Sequence, residues 1–212
     1  MITAINAGQI KEMLIAIADA VIEAKPLLTE VDSAVGDGDH GIGMEMGLRK
    51  AKEKLLATDP SDVYQLFAIT GKTMLMSMGG ASGVIFGSMF LAGAKGKAPA
   101  SEITTPKLAE MFRAAAEEIH RRGGASIGDK TMVDAFFPAV TALEENANNG
   151  LSAAFTAAAA AAHVGMESTK NYEAKFGRSK TQASTLGFMD AGAVSVWVIF
   201  DAACKYIRSI DV

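Results

Sequence analysis

Apolar residues recur at helical spacing along nearly the whole chain, as at Ile10, Met13, Leu14, Ile17 and Val21, and again at Leu108, Met111, Phe112, Ala115 and Ile119. Such spacing lines one face of a helix, and the period-two alternation of a half-buried strand is scarce. Breaks fall where helices end: at Pro26, at Asp59-Pro60 ahead of Ser61-Asp62, at Thr105-Pro106 and at Asn148-Asn149-Gly150. Between these marks the pattern predicts about eight helices, over 7–25, 42–56, 61–77, 83–95, 106–121, 130–147, 151–169 and 191–208. Short connections make consecutive helices antiparallel neighbours, so the expected fold class is all-α, an up-and-down bundle or closed helical barrel. No linker-like stretch and no internal repeat divides the 212 residues, and 1–212 reads as one domain.

Composition narrows the function classes. A 50% hydrophobic and 21% charged chain fits a globular core rather than disorder. With 20 basic against 24 acidic residues and no basic run, neither nucleic acid nor an anionic membrane is the expected partner. The lone Cys204 cannot form an internal disulfide, and the first residues lack the basic-then-apolar order of a secretory leader, so a cytoplasmic setting is expected. The alanine-rich stretch 151–164 contains Ser152, Thr156 and His163 and is too short to span a bilayer; it reads as a tightly packed helix. Cys204, Met74, Met76 and Met78 read as core residues.

Glycine and polar residues gather in four inter-helix segments, 32–43, 78–83, 123–131 and 177–192. In a bundle of alternating direction every second connection lies at the same end, and these segments precede the second, fourth, sixth and eighth predicted helices. All are therefore expected at one rim. The first holds Asp32, Asp37 and Asp39 beside His40, with glycines that let the backbone fold around them. Crowded carboxylates repel unless a cation lies among them, and oxygen ligands without cysteine select a hard ion. A calcium loop of the EF-hand type starting at Asp37 would place Gly41 and Leu48 at ligand positions. Magnesium, which takes one or two carboxylates and fills its shell with water and phosphate, fits better. Each aspartate taken singly also suits a helix cap or an Asx-turn.

Gly79-Gly80-Ala81-Ser82-Gly83 opens a helix, offering N–H groups, a hydroxyl and the positive end of the dipole to phosphate; it also suits a flexible connection between close helices. The third segment brings Lys130, with Asp129 or Thr131 as cap, and the fourth brings Arg178, whose planar fork grips phosphate oxygens in pairs. His40 is placed either to contact a ligand, to orient a metal-bound water or to orient its own loop, whereas His120 and His163 fall within helices and read as packing or surface residues. Two motifs are decoys. Gly36-Asp37-Gly38-Asp39-His40-Gly41 matches G-x-G-x-x-G but follows no predicted strand and sets negative charge where a pyrophosphate would lie; Gly71-Lys72-Thr73 lies mid-helix, with Leu66 where a P-loop needs glycine. No Ser-His-Asp or Cys-His set is recognisable.

In chain order, Gly36-Asp37-Gly38-Asp39-His40-Gly41, Gly79-Gly80-Ala81-Ser82-Gly83, Gly128-Asp129-Lys130-Thr131-Met132, Gly177-Arg178 and Asp190-Ala191-Gly192-Ala193 together resemble the nucleotide-binding L-subunit family of bacterial dihydroxyacetone kinases. That resemblance implies an eight-helix antiparallel barrel with ADP or ATP and two Mg²⁺ ions at one rim. It implies Asp32, Asp37 and Asp39 as magnesium ligands, and His40, Gly41, Ile42, Gly43, Ala81, Ser82, Gly123, Met132, Arg178, Asp190, Ala191 and Gly192 as nucleotide contacts, with Arg178 and His40 serving catalysis. The implied activity is a phosphotransferase of glycerol metabolism in which a separate K subunit holds the ketose through a histidine that this chain does not supply. The phosphoryl source is either exchanging ATP or, in the phosphotransferase-system type, a phosphohistidine on an M subunit that recharges retained ADP; a free-standing chain of this length resembles the second. A non-catalytic, nucleotide-dependent regulator of a transcription factor or metabolic partner would use the same pocket, and the oligomeric state, a homodimer included, is left open. The sequence departs from the family where Ser179-Lys180-Thr181-Gln182-Ala183-Ser184 replaces an Ala-Ser-Tyr-Leu-Gly-Glu-like run, where Gly43 replaces asparagine and where Ala191 replaces proline.

Overall fold

The computed structural model describes residues 2–182 and 184–211. Asn6 closes a capping box at the start of α1 (Ala7–Glu23): its side chain accepts from the Gln9 N–H at 2.9 Å, and its own N–H donates to Gln9 Oε1 at 3.1 Å. α1 buries Ile10, Met13, Leu14, Ile17 and Val21, the face that the spacing predicts. Pro26 does more than end that helix. It sits in the first turn of α2 (Lys25–Val35), where a missing N–H leaves no helical bond unmade. The described residues thus form nine helices, the others being α3 (His40–Leu56), α4 (Val63–Ser77), α5 (Gly80–Leu91), α6 (Thr105–Gly123), α7 (Val133–Glu145), α8 (Leu151–Ser168) and α9 (Ala191–Ile210). All but α2, which shares only Lys25 with one, coincide largely with a predicted stretch. A short antiparallel ladder joins β1 (Ala4–Asn6) to β2 (Glu102–Thr104), with Ile5 opposite Ile103, and fastens the start of α1 to that of α6.

Packing passes from α1 to α3, then in chain order from α3 to α9, and α9 packs back on α1. α2 leans on α3 and α9. Where α4, α7, α8 and α9 meet α6, the ring of Phe112 has Phe67, Phe136, Phe155 and Phe200 at centroid distances of 6.2, 6.4, 6.5 and 5.7 Å. Tilted and edge-on rings at such distances add to the stabilisation that burial alone supplies. Truncating Phe112 to alanine is expected to lower the unfolding free energy by about 3–5 kcal/mol, read from urea denaturation followed by circular dichroism.

Small side chains set how closely the helices approach. Ala154, Ala158 and Ala162 of α8 are buried, and a Cβ at Gly165 would overlap the carbonyl oxygen of Asp134, so α8 runs tight against α7. Cys204 is buried 3.6 Å from Thr156 Oγ1. Met74 is buried and Met78 packs against the core, but Met76 is 79% exposed. Positions two apart on a helix cannot share a face, which corrects the reading of all three methionines as core. Gly71-Lys72-Thr73 lies inside α4, and no helix among the described residues is long and apolar enough to cross a membrane.

Candidate functional site

Asp32 belongs to the last turn of α2 rather than to a loop, and its Oδ2 accepts the backbone N–H of His40 at 3.1 Å. That bond folds the turn 36–39 back on α2, helped by Gly38, whose φ of 76° is one that L side chains avoid. One oxygen from each of Asp32, Asp37 and Asp39 then lies within 4.8 Å of the others. Repulsion among them is relieved by Arg178, whose guanidinium pairs with Asp37 and reaches to 3.8 Å from Asp39 Oδ2. An all-oxygen donor set open to water on one side suits a hard divalent ion that keeps some of its water.

His40 begins α3 and is buried. Its Nε2 lies 2.8 Å from Ser195 Oγ in α9, and its ring tilts against Phe86 at 5.7 Å. Burial lowers its pKa against the opposing pull of the Asp32 charge and a hydrogen bond to the Ala191 backbone, so the ring is neutral near pH 7. The imidazole is thereby tied to α9. Ser195 escaped the sequence reading because one serine inside an apolar helix carries no pattern of its own.

The chain enters α5 through Gly79 and Gly80, at φ 68° and 60°, with open space where a Cβ would stand. Gly80, Ala81 and Ser82 are exposed at a helix start, where N–H groups lack helical acceptors. Asp134, buried in the first turn of α7, shapes the third segment: it accepts Gly128 N–H at 2.6 Å and Thr131 N–H at 2.7 Å. Loss of water raises its pKa, and those two bonds oppose the rise. Asp129 does not cap α7. It accepts the Ser126 N–H at 2.8 Å within its own turn and pairs with Lys175 at 2.6 Å.

A cavity of about 530 Å³ collects all four segments at one place. Its walls include Asp32, Asp37, Asp39, His40, Ile42 and Gly43 from the first, and Ala81 and Ser82 from the second. Lys130 and Met132, then Arg178, Asp190, Ala191 and Gly192, complete them. Two candidate residues face elsewhere. A Cβ on Gly41 would overlap Thr29 of α2, and Gly123 ends α6 beside Ile85, at the cavity's edge. His120 bonds Ala125 O through Nδ1 at 3.1 Å and His163 stands edge-on to Trp197, as expected of packing residues. In the divergent run after Arg178, Ser179–Thr181 forms one 3₁₀ turn, and Ala183 lies outside the described residues.

Asp190 caps α9 by accepting the Ala193 N–H at 2.7 Å. Loss of water pushes its pKa up to about 7, with the Ala193 bond and Lys130 opposing and the charges of Asp134 and Asp32 adding. An unfolded aspartate ionises near 3.9. Between those values the native state keeps a proton that the unfolded chain has lost, so stability falls as pH rises from about 4 to about 7 and is level above. Asp190→Asn keeps an acceptor for Ala193 and removes this slope. Thermal melts of the metal-free protein are expected to show equal midpoints for the two forms at pH 4 and a midpoint several degrees higher for Asp190→Asn at pH 7.

A helical domain that gathers carboxylates, an arginine and glycine-rich helix starts around one cavity has the donor set of a protein for a phosphorylated ligand and a hard cation. Residues 34–205 match the DAK2 domain model, and the chain belongs to that family. It is 36% identical over 191 residues to the ADP-binding subunit DhaL of the PEP-dependent dihydroxyacetone kinase of Escherichia coli K12, covering 89% of this chain and 91% of that protein. The ADP-binding subunit DhaL of PEP-dependent dihydroxyacetone kinase 2 of Listeria innocua is 34% identical over 194 residues, with 89% and 90% covered. Among solved structures, the dihydroxyacetone kinase of C. freundii in complex with AMP-PNP and Mg²⁺ matches with a TM-score of 0.73 and 26% identity, over 97% of this chain and 35% of that one. The present chain therefore spans about a third of the C. freundii enzyme.

Proposed function

We propose that this chain, as one domain over 1–212, is the nucleotide- and magnesium-binding subunit of a kinase for dihydroxyacetone or a similar short ketose. The observation that carries the reading is the shared cavity, in which Asp32, Asp37 and Asp39 stand opposite Arg178 and beside the glycine-rich start of α5. The relatives' names add ADP binding, and the C. freundii complex adds AMP-PNP with Mg²⁺.

Asp32, Asp37 and Asp39 would hold two Mg²⁺ ions. Bound magnesium supplies neutralisation of phosphate charge and Lewis acidity. The first-turn N–H groups of α5 and the Ser82 hydroxyl would donate to phosphate oxygens, and Arg178 would steady the group in transfer. His40, held by Ser195, would fix the acidic turn; Ile42, Gly43, Met132, Asp190, Ala191 and Gly192, which line the cavity, would border the nucleotide, whereas Gly41, packed on α2, and Gly123, outside the lining, would not touch it. In-line positioning against a ketose on a K subunit then supplies much of the rate. The phosphoryl donor is a phosphohistidine on an M subunit that recharges retained ADP, the arrangement favoured by a likeness covering 91% of a PEP-dependent relative's subunit.

Mass spectrometry of the nucleotide released on denaturation is the test, run before and after exposure to ATP or to the phosphorylated carrier. ADP that stays bound through ATP exposure and is converted by the carrier agrees with the proposal, as does ketose phosphorylation once the K subunit is added. Free exchange with ATP overturns the donor assignment. Nucleotide binding without turnover marks a regulator, and absence of magnesium-dependent ADP binding removes the reading altogether.

A further inference from the structure

Lys130 is a buried lysine: it is 2% exposed, and its Nζ donates to Thr169 O at 2.7 Å and to Phe188 O at 2.5 Å. Its backbone φ of 58° makes it the one non-glycine residue with positive φ among those described. A conformation of that kind persists where the surroundings over-determine it. The two carbonyls lie on opposite ends of the long connection between α8 and α9. Other bonds draw the same ends together: Gly187 N–H donates to Lys170 O at 2.8 Å, and Asp190 N–H to Thr169 Oγ1 at 3.0 Å. Further out, Glu173 accepts the Thr185 N–H and hydroxyl, each at 2.8 Å. The connection is thus an Ω-shaped loop zipped at its neck, with Phe176, Gly177 and Arg178 toward its tip. Asp129, next to Lys130, holds the tip's near side: its carbonyl oxygen accepts the Lys175 N–H at 3.2 Å and its carboxylate pairs with Lys175 Nζ.

We infer that the Asp129-Lys130 pair is a positioning clasp, which closes the neck of the loop and aims Arg178 at Asp37 and Asp39, thereby setting nucleotide affinity at the proposed site. The part concerning affinity rests on the proposed function; the clasp itself does not. An ordinary salt bridge would not need a buried ammonium satisfied by two carbonyls from distant parts of the chain. Charge-assisted bonds of this kind hold geometry better than neutral ones. Desolvation lowers the Lys130 pKa, and the charges of Asp190, Glu173 and Asp134 act against that shift. The ammonium charge is thus supported from α7, the loop and the α9 start.

Lys130→Met keeps the stem and removes the charge, and Asp129→Asn weakens only the second hold. With helical circular dichroism unchanged, trypsin is expected to cut after Lys175, Arg178 and Lys180 at least several-fold faster in Lys130→Met than in the parent, with Asp129→Asn between them. ADP affinity in magnesium is expected to fall about tenfold. Because the clasp acts through Arg178, the Lys130→Met/Arg178→Ala double variant should bind ADP no worse than Arg178→Ala alone. Additive losses, or an unchanged tryptic rate in both single variants, would overturn the clasp. If Lys130→Met does not fold, the decision passes to Asp129→Asn. Failure of the parent itself to bind ADP would sink the proposed function and leave the tryptic result to judge the loop.

Discussion

Asp37→Ala is expected to abolish magnesium-dependent ADP binding, with a loss of about 100-fold or more in affinity, while leaving the helical signal and the stability of the ligand-free protein almost unchanged. Both halves follow from the same arrangement. One oxygen from each of Asp32, Asp37 and Asp39 lies within 4.8 Å of the others, so removing one would delete a ligand from the proposed magnesium site, which offers the ion few protein oxygens. In the ligand-free protein the same deletion relieves repulsion and gives up an exposed pair with Arg178, and such pairs contribute about 0–1 kcal/mol. The two effects offset each other. Isothermal titration measures the first half, and thermal melts with and without ADP and magnesium measure both. The parent should gain about 2.7 kcal/mol when ligand stands at 100 times its dissociation constant, and Asp37→Ala should gain nearly nothing. A variant that binds ADP as the parent does would remove the aspartates from the site.

The acidic turn was legible in the sequence because its chemistry is local: three aspartates and three glycines between 32 and 41 announce crowded charge whatever surrounds them. The meeting of the four segments was legible too, since alternating helices with short connections return every second turn to one end. Elements that owe their existence to distant partners were not. α2 buries only Leu28 and Val35, too thin an apolar face to separate from α1 by periodicity, so the sequence pattern alone places Asp32 in an inter-helix segment. A ladder of three residues per strand is too short for alternation to register. Asp134 and Ser195, with partners six and 155 positions away, look ordinary in the sequence, and Lys130, legible there as a cation of the third segment, has its partners up to 58 positions away, so that its actual contacts appear only in three dimensions. Lys130 shows this best. In the sequence it is a cation beside a helix start, and in the fold it is among the most buried charges of the described residues.

Arg178→Ala is expected to reduce phosphoryl transfer to the ketose by about 10³-fold while weakening ADP by much less and magnesium not at all. In the structure the Arg178 guanidinium is the cation facing Asp37 and Asp39, on a side chain that is 73% exposed. On the proposed function, a divalent ion held by the carboxylates would neutralise them, leaving the guanidinium available to the oxygens of the phosphoryl group, where charge is spread most widely at the transition state. In that reading Arg178 and the ion would compete for the aspartates before cooperating on the phosphate. Removing Arg178 should leave magnesium affinity in the absence of nucleotide equal or higher, a sign opposite to that of Asp37→Ala. Lysine at 178 should recover the charge but not the rate, because a point charge cannot bind two oxygens in the plane of a guanidinium. Steady-state kinetics with the K subunit and the carrier give the turnover, and direct titration gives the two affinities. A parallel fall in turnover and ADP affinity would make Arg178 a binding residue alone, and weaker magnesium binding would show that the guanidinium never competes with the ion.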